Sequence, residues 1–442
     1  MKTLVHLDLK GCTYKVDYFK QLMKTFSDWG ATGVLIEWED MLPWSGRLEC
    51  LRAPNAYTRE QIADILQAAK NNHIDVIPLM QTFGHLEFAL KHPAFAHLRE
   101  MPDSEKDICP LHPESLALAL ELVEQTIELH PGINAIHLGA DEVWSLGSCA
   151  KCKPFAEAQG KPALFLKQID PILDAVRSKG LRSLIWDDML RKWPVDALAT
   201  IRDTAELVVW RYGSDIETGL PSGMWDRYSD AGLTLWGASA FKGADGGDAL
   251  WPNSGERTAN HIAWTARAKQ TPLTGIILTG WSRYNHYTCL CETMAAGMPT
   301  LAVALNIINA GGYTRALYDE TMAAIGLANV APSLSIREIA ALPEGRFPGA
   351  SALQWIGKLQ AARQEAIGIA YSLPQFNGGR VSETAVRQAS ETSRKLNEKF
   401  DALESSATDC LGDCLFDADI KEIIESKIRF QLEILACAMK KG

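Results

Sequence analysis

The stretch AIHLGADEVW, residues 135–144, decides how the chain is read. A short apolar run, Ala135 to Leu138, is interrupted only by His137 and ends in two adjacent acids, Asp141 and Glu142. Like charges placed that close repel each other unless something separates or neutralises them. A solvated turn tolerates such a pair, and a catalytic site can require it. The run is too short for a helix and reads as a buried strand whose C-terminal end carries polar chemistry.

Seven further segments have the same character. They are LVHLDL (4–9), TGVLIEWE (32–39), DVIPLMQ (75–81), RSLIWDD (182–188), LVVWRY (207–212), LTLWGAS (233–239) and GIILTGW (275–281). Helix-periodic stretches separate them, near 16–29, 58–72, 114–130, 163–179, 194–203, 219–231 and 256–270, and another follows at 290–310. YTREQIADILQAAKNNHI is typical: Thr58 can cap the first amides, and Ile62, Ile65, Leu66 and Ala69 share one face. Eight strand–helix repeats in about 310 residues predict a (β/α)8 TIM barrel. The competitor, an open doubly wound sheet, usually carries a glycine-rich loop after its first strand. DLKGCTYK (8–15) has a single glycine.

From about residue 331 the pattern changes. ASALQWIGKLQAARQEAIGIAYSL, SETAVRQASETSRKLNEKF and DIKEIIESKIRFQLEILACAMKK are helical, with FPGA and FNGGR as breaks. We therefore expect a catalytic barrel over 1–330 and a helical C-terminal region over 331–442, packed on the barrel. Whether that region also builds a homodimer interface is left open.

Composition sets the outer bounds. The 442 residues are 47% hydrophobic and 22% charged, with a net charge of −10. That balance, without a basic run, argues against nucleic acid and anionic membranes as partners. No apolar stretch is long and uninterrupted enough to span a bilayer. MKTLVHLDLKG reads as a strand, not as an export signal. Ten scattered cysteines with no such signal are expected to be reduced thiols of a cytoplasmic protein. Cys149-x-x-Cys152 follows the acid pair directly. Zinc, a disulfide and free thiols all stay open for it. A zinc site needs about four ligands, and the sequence has no second such pair, although Cys12, Cys109, Cys289 and Cys291 fall in loops that could share its face.

A barrel places its active site at the C-terminal ends of its strands, and unusual residues gather there. In strand 1, Leu4, His6, Asp8 and Lys10 share the inward face, with Lys10 at the top. His85 follows strand 3. Strand 5 ends in Trp186, Asp187 and Asp188, strand 6 in Trp210, Arg211 and Tyr212, and strand 8 in Trp281, Arg283 and Tyr284. Tryptophans among acids describe a pocket for a neutral polar ligand with apolar faces. A sugar is such a ligand, because its C–H faces pack on indole while its hydroxyls bond carboxylates and cations.

HLGADEVW resembles the His-x-Gly-Gly/Ala-Asp-Glu signature of family-20 glycoside hydrolases, the β-N-acetylhexosaminidases. LDLKG, the GH after strand 3, WDD, ASAFKGA and GWSRYNHY agree with its hexosaminidase D branch. The resemblance covers roughly residues 3–310. It implies a retaining exo-acting enzyme that removes β-linked N-acetylhexosamine from glycoconjugates, using the substrate's own acetamide oxygen as nucleophile and forming an oxazolinium intermediate. On that resemblance Glu142 is the acid/base and is expected to arrive protonated, its proton affinity raised by Asp141. Asp141 steadies the acetamide N–H. Trp186, Trp210 and Trp281 form the aromatic walls, His85 sits near the acid, Asp187 is a candidate for hydroxyl binding, and Lys10, Tyr212 and Arg283 are further candidates for substrate binding. No cofactor or catalytic metal is called for.

Two positions depart from the family pattern. Lys10 stands where many members carry an arginine, and lysine cannot form a bidentate fork. Phe241 is the nearest match to a tyrosine that bonds the acetamide oxygen, so Tyr212 or Tyr284 replaces it or the contact is absent. These departures put the preference at the 4-hydroxyl in doubt, and the resemblance to the hexosaminidase D branch implies a slight lean toward N-acetylgalactosamine. Two other readings compete: a metal-dependent barrel hydrolase using His6, Asp8, His85 and His137, and a sugar-binding barrel without catalysis.

Overall fold

In a computed structural model, which describes residues 1–332, 336–377 and 382–433, the eight strands close in chain order into one parallel barrel. They are β1 (Lys2–Asp8), β2 (Gly33–Glu37), β3 (Asp75–Leu79), β4 (Ala135–His137), β5 (Arg182–Trp186), β6 (Ala205–Trp210), β7 (Leu235–Lys242) and β8 (Leu273–Gly280). β1 pairs with β2 on one side and β8 on the other, which completes the ring. Each strand lies within about three residues of its predicted place, because alternation and turn residues mark strands well.

The two faces of β1 separate as expected. Leu4 joins Leu35, Ile77, Leu184, Trp236 and Ile277 in the interior of the barrel. Val5, Leu7 and Leu9 belong to the larger core between strands and helices. The helices that form the outer layer are α1 (Val16–Asp28), α2 (Arg59–Asn71), the short α3 (Glu87–Leu90), α4 (Ser115–Leu129), α5 (Cys152–Ser178), α6 (Val195–Ala199), α7 (Met224–Asp230), α8 (Ser254–Arg267) and α9 (Met294–Ala310). α2 shows how sequence builds them. The Thr58 hydroxyl accepts the Gln61 amide and the Gln61 side chain accepts the Thr58 amide, a reciprocal capping box. Ile62, Ile65 and Ala69 are buried on its inner face. α5 starts eleven residues ahead of the predicted 163, but it is broken at Gly160 (φ +86°), and its second part is the helix the periodicity shows.

Among the described residues five more helices follow: α10 (Arg315–Ala324), α11 (Ile336–Ala340), α12 (Ala350–Asn377), α13 (Glu383–Leu411) and α14 (Asp417–Ile423), the last running into a wider turn to Arg429. Of the predicted break FNGGR, residues 378–380 lie outside the described residues, as does the predicted helix beyond 433. Leu353, Leu359, Leu396, Phe400 and Ile420 join the same apolar cluster as the outer face of the barrel. No helix among the described residues is long and apolar enough to cross a membrane.

The C-terminal region reaches the mouth of the barrel. The Lys15 amide bonds Cys414 O at 2.9 Å, and the Thr13 amide bonds Asp419 at 3.3 Å. Arg283, expected to hold substrate, is the knot of this contact. Its guanidinium donates to the carbonyls of Lys10 (2.8 Å), Gly11 (2.8 Å) and Thr288 (2.7 Å) and pairs with Glu422 at 2.6 Å. Part of its side chain lines the mouth, as expected, while its hydrogen bonds go to the protein. A planar fork meeting three carbonyls and a carboxylate cannot be copied by lysine. Arg283→Lys should therefore cost about 2 kcal/mol, the order of one or two charge-assisted hydrogen bonds, read as a lower urea midpoint. An unchanged midpoint would show that this knot holds nothing together.

Candidate active site

Backbone geometry at the end of β4 brings the acids together. Alternation would send Asp141 and Glu142 to opposite faces. Instead Gly139 (φ +65°), Ala140 (φ +67°) and Glu142 (φ +50°) are all left-handed. For the two non-glycine residues this costs roughly 1 kcal/mol or more each, a strain that typically persists where function needs it. At Gly139 a side chain is also excluded, since a Cβ would fall 1.8 Å from Gln81 Oε1. The turn is held from both sides. The Trp186 amide bonds Gly139 O at 3.0 Å, and the Glu142 amide bonds Asp188 Oδ2 at 2.9 Å. Gly84 lies so close that a Cβ there would sit 2.3 Å from Asp141 O. This explains the glycine before His85, itself left-handed at φ +51°.

The pocket these elements enclose has a volume of about 290 Å³. Lys10, His85, Asp141, Glu142, Trp186, Trp210, Tyr212 and Trp281 line it, all expected from the sequence. Trp210 stacks on Tyr212 with centroids 5.4 Å apart, Tyr212 meets Trp281 at 6.5 Å, and Trp281 meets Trp186 at 5.9 Å. These four rings form a continuous aromatic wall of the pocket. Phe241 is fully buried and turned away, filling the space beside Gly280 and Gly297. Tyr284 lines the rim, half exposed, and its hydroxyl accepts the Gly246 amide at 3.2 Å.

His85 bridges the acid pair, its Nε2 lying 3.3 Å from Asp141 Oδ2 and 3.4 Å from Glu142 Oε2. The other Asp141 oxygen, Oδ1, is buried with no hydrogen-bond partner among the described residues. Burial opposes charge on His85, but Asp141 outweighs it and holds the imidazole well above its usual range. Glu142 also accepts from Lys106 Nζ at 3.0 Å. The hydrogen bond from His85, helped by the Lys106 charge, overcomes burial and holds Glu142 down at about 2. The expectation that Asp141 keeps Glu142 protonated is therefore corrected for the free protein: two cations reach Glu142 and dominate its neighbour's charge.

Two other expected residues have different work. Asp187 is completely buried and bound by Arg191 at 2.9 and 2.7 Å and by the Tyr228 hydroxyl at 3.1 Å. It anchors the β5 loop and is not among the residues lining the pocket, which corrects its assignment to hydroxyl binding. Its neighbour Asp188 accepts the Glu142 amide and the Trp210 indole N–H at 3.2 Å, tying an acid to an aromatic wall. Burial, with Asp141 nearby, pushes Asp188 up to about 7. Lys10 lies at the base of the pocket among Glu39 (3.1 Å), Asp8 (3.4 Å) and Glu37 (3.5 Å). Burial opposes its charge, yet these acids hold it well above the usual lysine range.

Glu37, Gln81 and Lys106 escaped the sequence reading. Glu37 ends β2 and lines the pocket, with His6 at 3.3 Å and Gln81 donating at 3.1 Å. Its signal was present in IEWED (36–40), an acidic strand end like the others. Lys106 lies deep in the long loop after β3, where no periodicity or motif singles it out. The metal-hydrolase reading is not supported by the geometry. His137 accepts its own Gly139 amide at 3.0 Å, His6 faces Glu37 and His85 faces the acid pair. Among the described residues these histidines form no metal-ligand group with Asp8.

Comparison with known proteins agrees with this geometry. Residues 14–224 match the model of the glycosyl hydrolase family 20 catalytic domain. Hexosaminidase D of Homo sapiens is 40% identical over 360 residues, spanning 79% of this chain and 73% of that protein. Hexosaminidase D of Bos taurus is 42% identical over 320 residues, 70% of this chain and 92% of that protein. Among solved structures, a β-N-acetylhexosaminidase from Bacteroides fragilis NCTC 9343 superposes with a TM-score of 0.54 at 16% identity, over 74% of this chain and 70% of that one. The chitobiase of Flavobacterium johnsoniae gives 0.53 at 14% identity, over 100% of this chain and 73% of that one. At such identities these two speak for the fold alone. The curated relatives extend the likeness through the sequence itself, and with them the chain belongs to glycosyl hydrolase family 20.

Proposed function

We propose that this chain is a retaining exo-β-N-acetylhexosaminidase in which Asp141 and Glu142 divide the work of substrate-assisted hydrolysis. One observation carries the division. Both acids share His85, yet Asp141 keeps one buried oxygen without a donor while Glu142 remains partly open to the mouth of the pocket. The unpaired Asp141 oxygen suits an acetamide N–H, and the charge beside it steadies the positive charge that develops as the acetamide oxygen closes on the anomeric carbon. Tyr212, in the aromatic wall, is better placed for the acetamide oxygen than the half-exposed Tyr284. Glu142, at the open side, protonates the departing oxygen and later takes a proton from water.

In the free protein the proton for that step rests on His85. A leaving group entering beside Glu142 displaces water and separates it from Lys106, and both effects raise its proton affinity. The hydroxyl end of the sugar meets Lys10 and Glu37. A single ammonium there, already engaged by three acids, discriminates weakly between 4-epimers, which supports action on both N-acetylgalactosamine and N-acetylglucosamine.

Glu142→Gln should lower turnover by roughly 10²–10⁴-fold on a substrate with a poor leaving group and by less on a 4-nitrophenyl glycoside, which departs without a proton. Asp141→Asn should impair both substrates alike, and should weaken inhibition by a thiazoline mimic of the oxazolinium ring. Wild-type turnover in either purified variant would remove the assignment.

The Lys106 charge lowers the proton affinity of Glu142, and of His85 as well. Lys106→Ala should accordingly move the alkaline limb of kcat/KM to higher pH, because the proton that must be present is held more tightly. A profile that stays in place or moves to lower pH would show that neither group governs that limb. The ratio of kcat/KM on the two epimeric sugars should be below about 10², far from the 10⁴ of a site built around one hydroxyl.

A further inference from the structure

The loops that deliver the catalytic acids and bases meet again in a second cluster of side chains. Glu100 and Cys109 come from the loop after β3, and Cys149 and Cys152 from the segment after β4. Cys109 Sγ lies 3.4 Å from Cys152 Sγ and 3.7 Å from Cys149 Sγ. One ligand atom from each of the four residues falls within 4.8 Å of all the others. Sulfurs sharing a tetrahedral zinc at a bond length of about 2.3 Å stand about 3.8 Å apart. The sequence offered Cys149 and Cys152 with Cys109 as one of four loop candidates; the fold selects Cys109 and adds Glu100. Of the other candidates, Cys289 and Cys291 turn their sulfurs to Gly247 O at 3.3 and 3.7 Å.

Two features point to a cation. Glu100 is 1% exposed, and its Oε1 accepts the amides of Ser148 at 2.8 Å and Cys149 at 3.0 Å. Its Oε2 is buried beside the thiols and has no hydrogen-bond partner among the described residues. A buried carboxylate oxygen left unpaired is costly unless something positive meets it. Meanwhile the Cys152 amide donates to Cys149 Sγ at 3.3 Å, which would ease negative charge on that sulfur.

We propose that Cys109, Cys149, Cys152 and Glu100 bind one zinc ion at a closed, structural site. Binding breaks three S–H bonds, releases three protons to solvent, and forms three Zn–S bonds and one Zn–O bond. The ion staples the β3 loop, which carries His85 and Lys106, to the β4 loop, which carries Asp141 and Glu142. A neighbouring bond runs the same way, Ser145 donating to Asp107 through both its amide (3.0 Å) and its hydroxyl (2.7 Å). The site touches no substrate, so its role is to position the acid pair.

The test uses the full chain purified without chelator. Elemental analysis should find about one zinc per chain, and replacement by cobalt(II) should give the near-ultraviolet charge-transfer and visible bands of a tetrahedral thiolate site. Cys152→Ser and Glu100→Gln should lower the metal content, while Cys50→Ser, an exposed cysteine elsewhere, should not. If the cluster variants do not fold, the wild-type cobalt spectrum decides alone. Folded wild-type protein that retains no zinc and gives no cobalt–thiolate bands overturns the proposal. So does a thiol titration of the denatured chain that finds two of these cysteines joined as a disulfide.

Discussion

Carboxylates crowd the mouth of this barrel, and buried cations make the crowding tolerable. Lys10 stands among Asp8, Glu37 and Glu39; His85 and Lys106 hold Asp141 and Glu142; Arg191 grips Asp187. Removing one partner from such a pair leaves an uncompensated charge in low dielectric, which costs several kcal/mol. The pairings therefore fix more than local geometry. They also shift the proton affinities of the groups they join, lowering that of Glu142 and raising that of His85.

This arrangement is supported by strain in the backbone. Left-handed residues at the end of β4 and at His85 turn side chains into the pocket that regular strands would send elsewhere. The turn survives because neighbours over-determine it: Asp188 takes the Glu142 amide, Gly84 permits the close approach of the β3 loop, and Trp186 bonds Gly139. Aromatic rings line the same pocket.

The C-terminal helices belong to the same structure. They share the apolar core of the barrel and bond to the loops after β1 and β8. Arg283 shows why a conspicuous residue at a strand end is an uncertain guide. It sits where a sugar ligand was expected, but four hydrogen bonds to carbonyls and Glu422 occupy it. Asp187 repeats the lesson: its place after β5 was read correctly, while its buried partners decided its work.

Periodicity, turn residues and the capping signal at Thr58 determined the eight-stranded order and the end of the barrel at which chemistry gathers. These are local properties, written within a dozen residues of one another. The sequence also determined the acid pair and most of the aromatic wall, since strand ends converge in any closed barrel. What it could not determine was ionisation and partnership. Lys106 reaches Glu142 from 36 positions away, Glu422 reaches Arg283 from 139, and Cys109 reaches Cys152 from 43. Such encounters depend on how loops close across the mouth, and no local pattern encodes them; a carboxylate's charge depends on exactly those distant neighbours, so only the tertiary structure decided it.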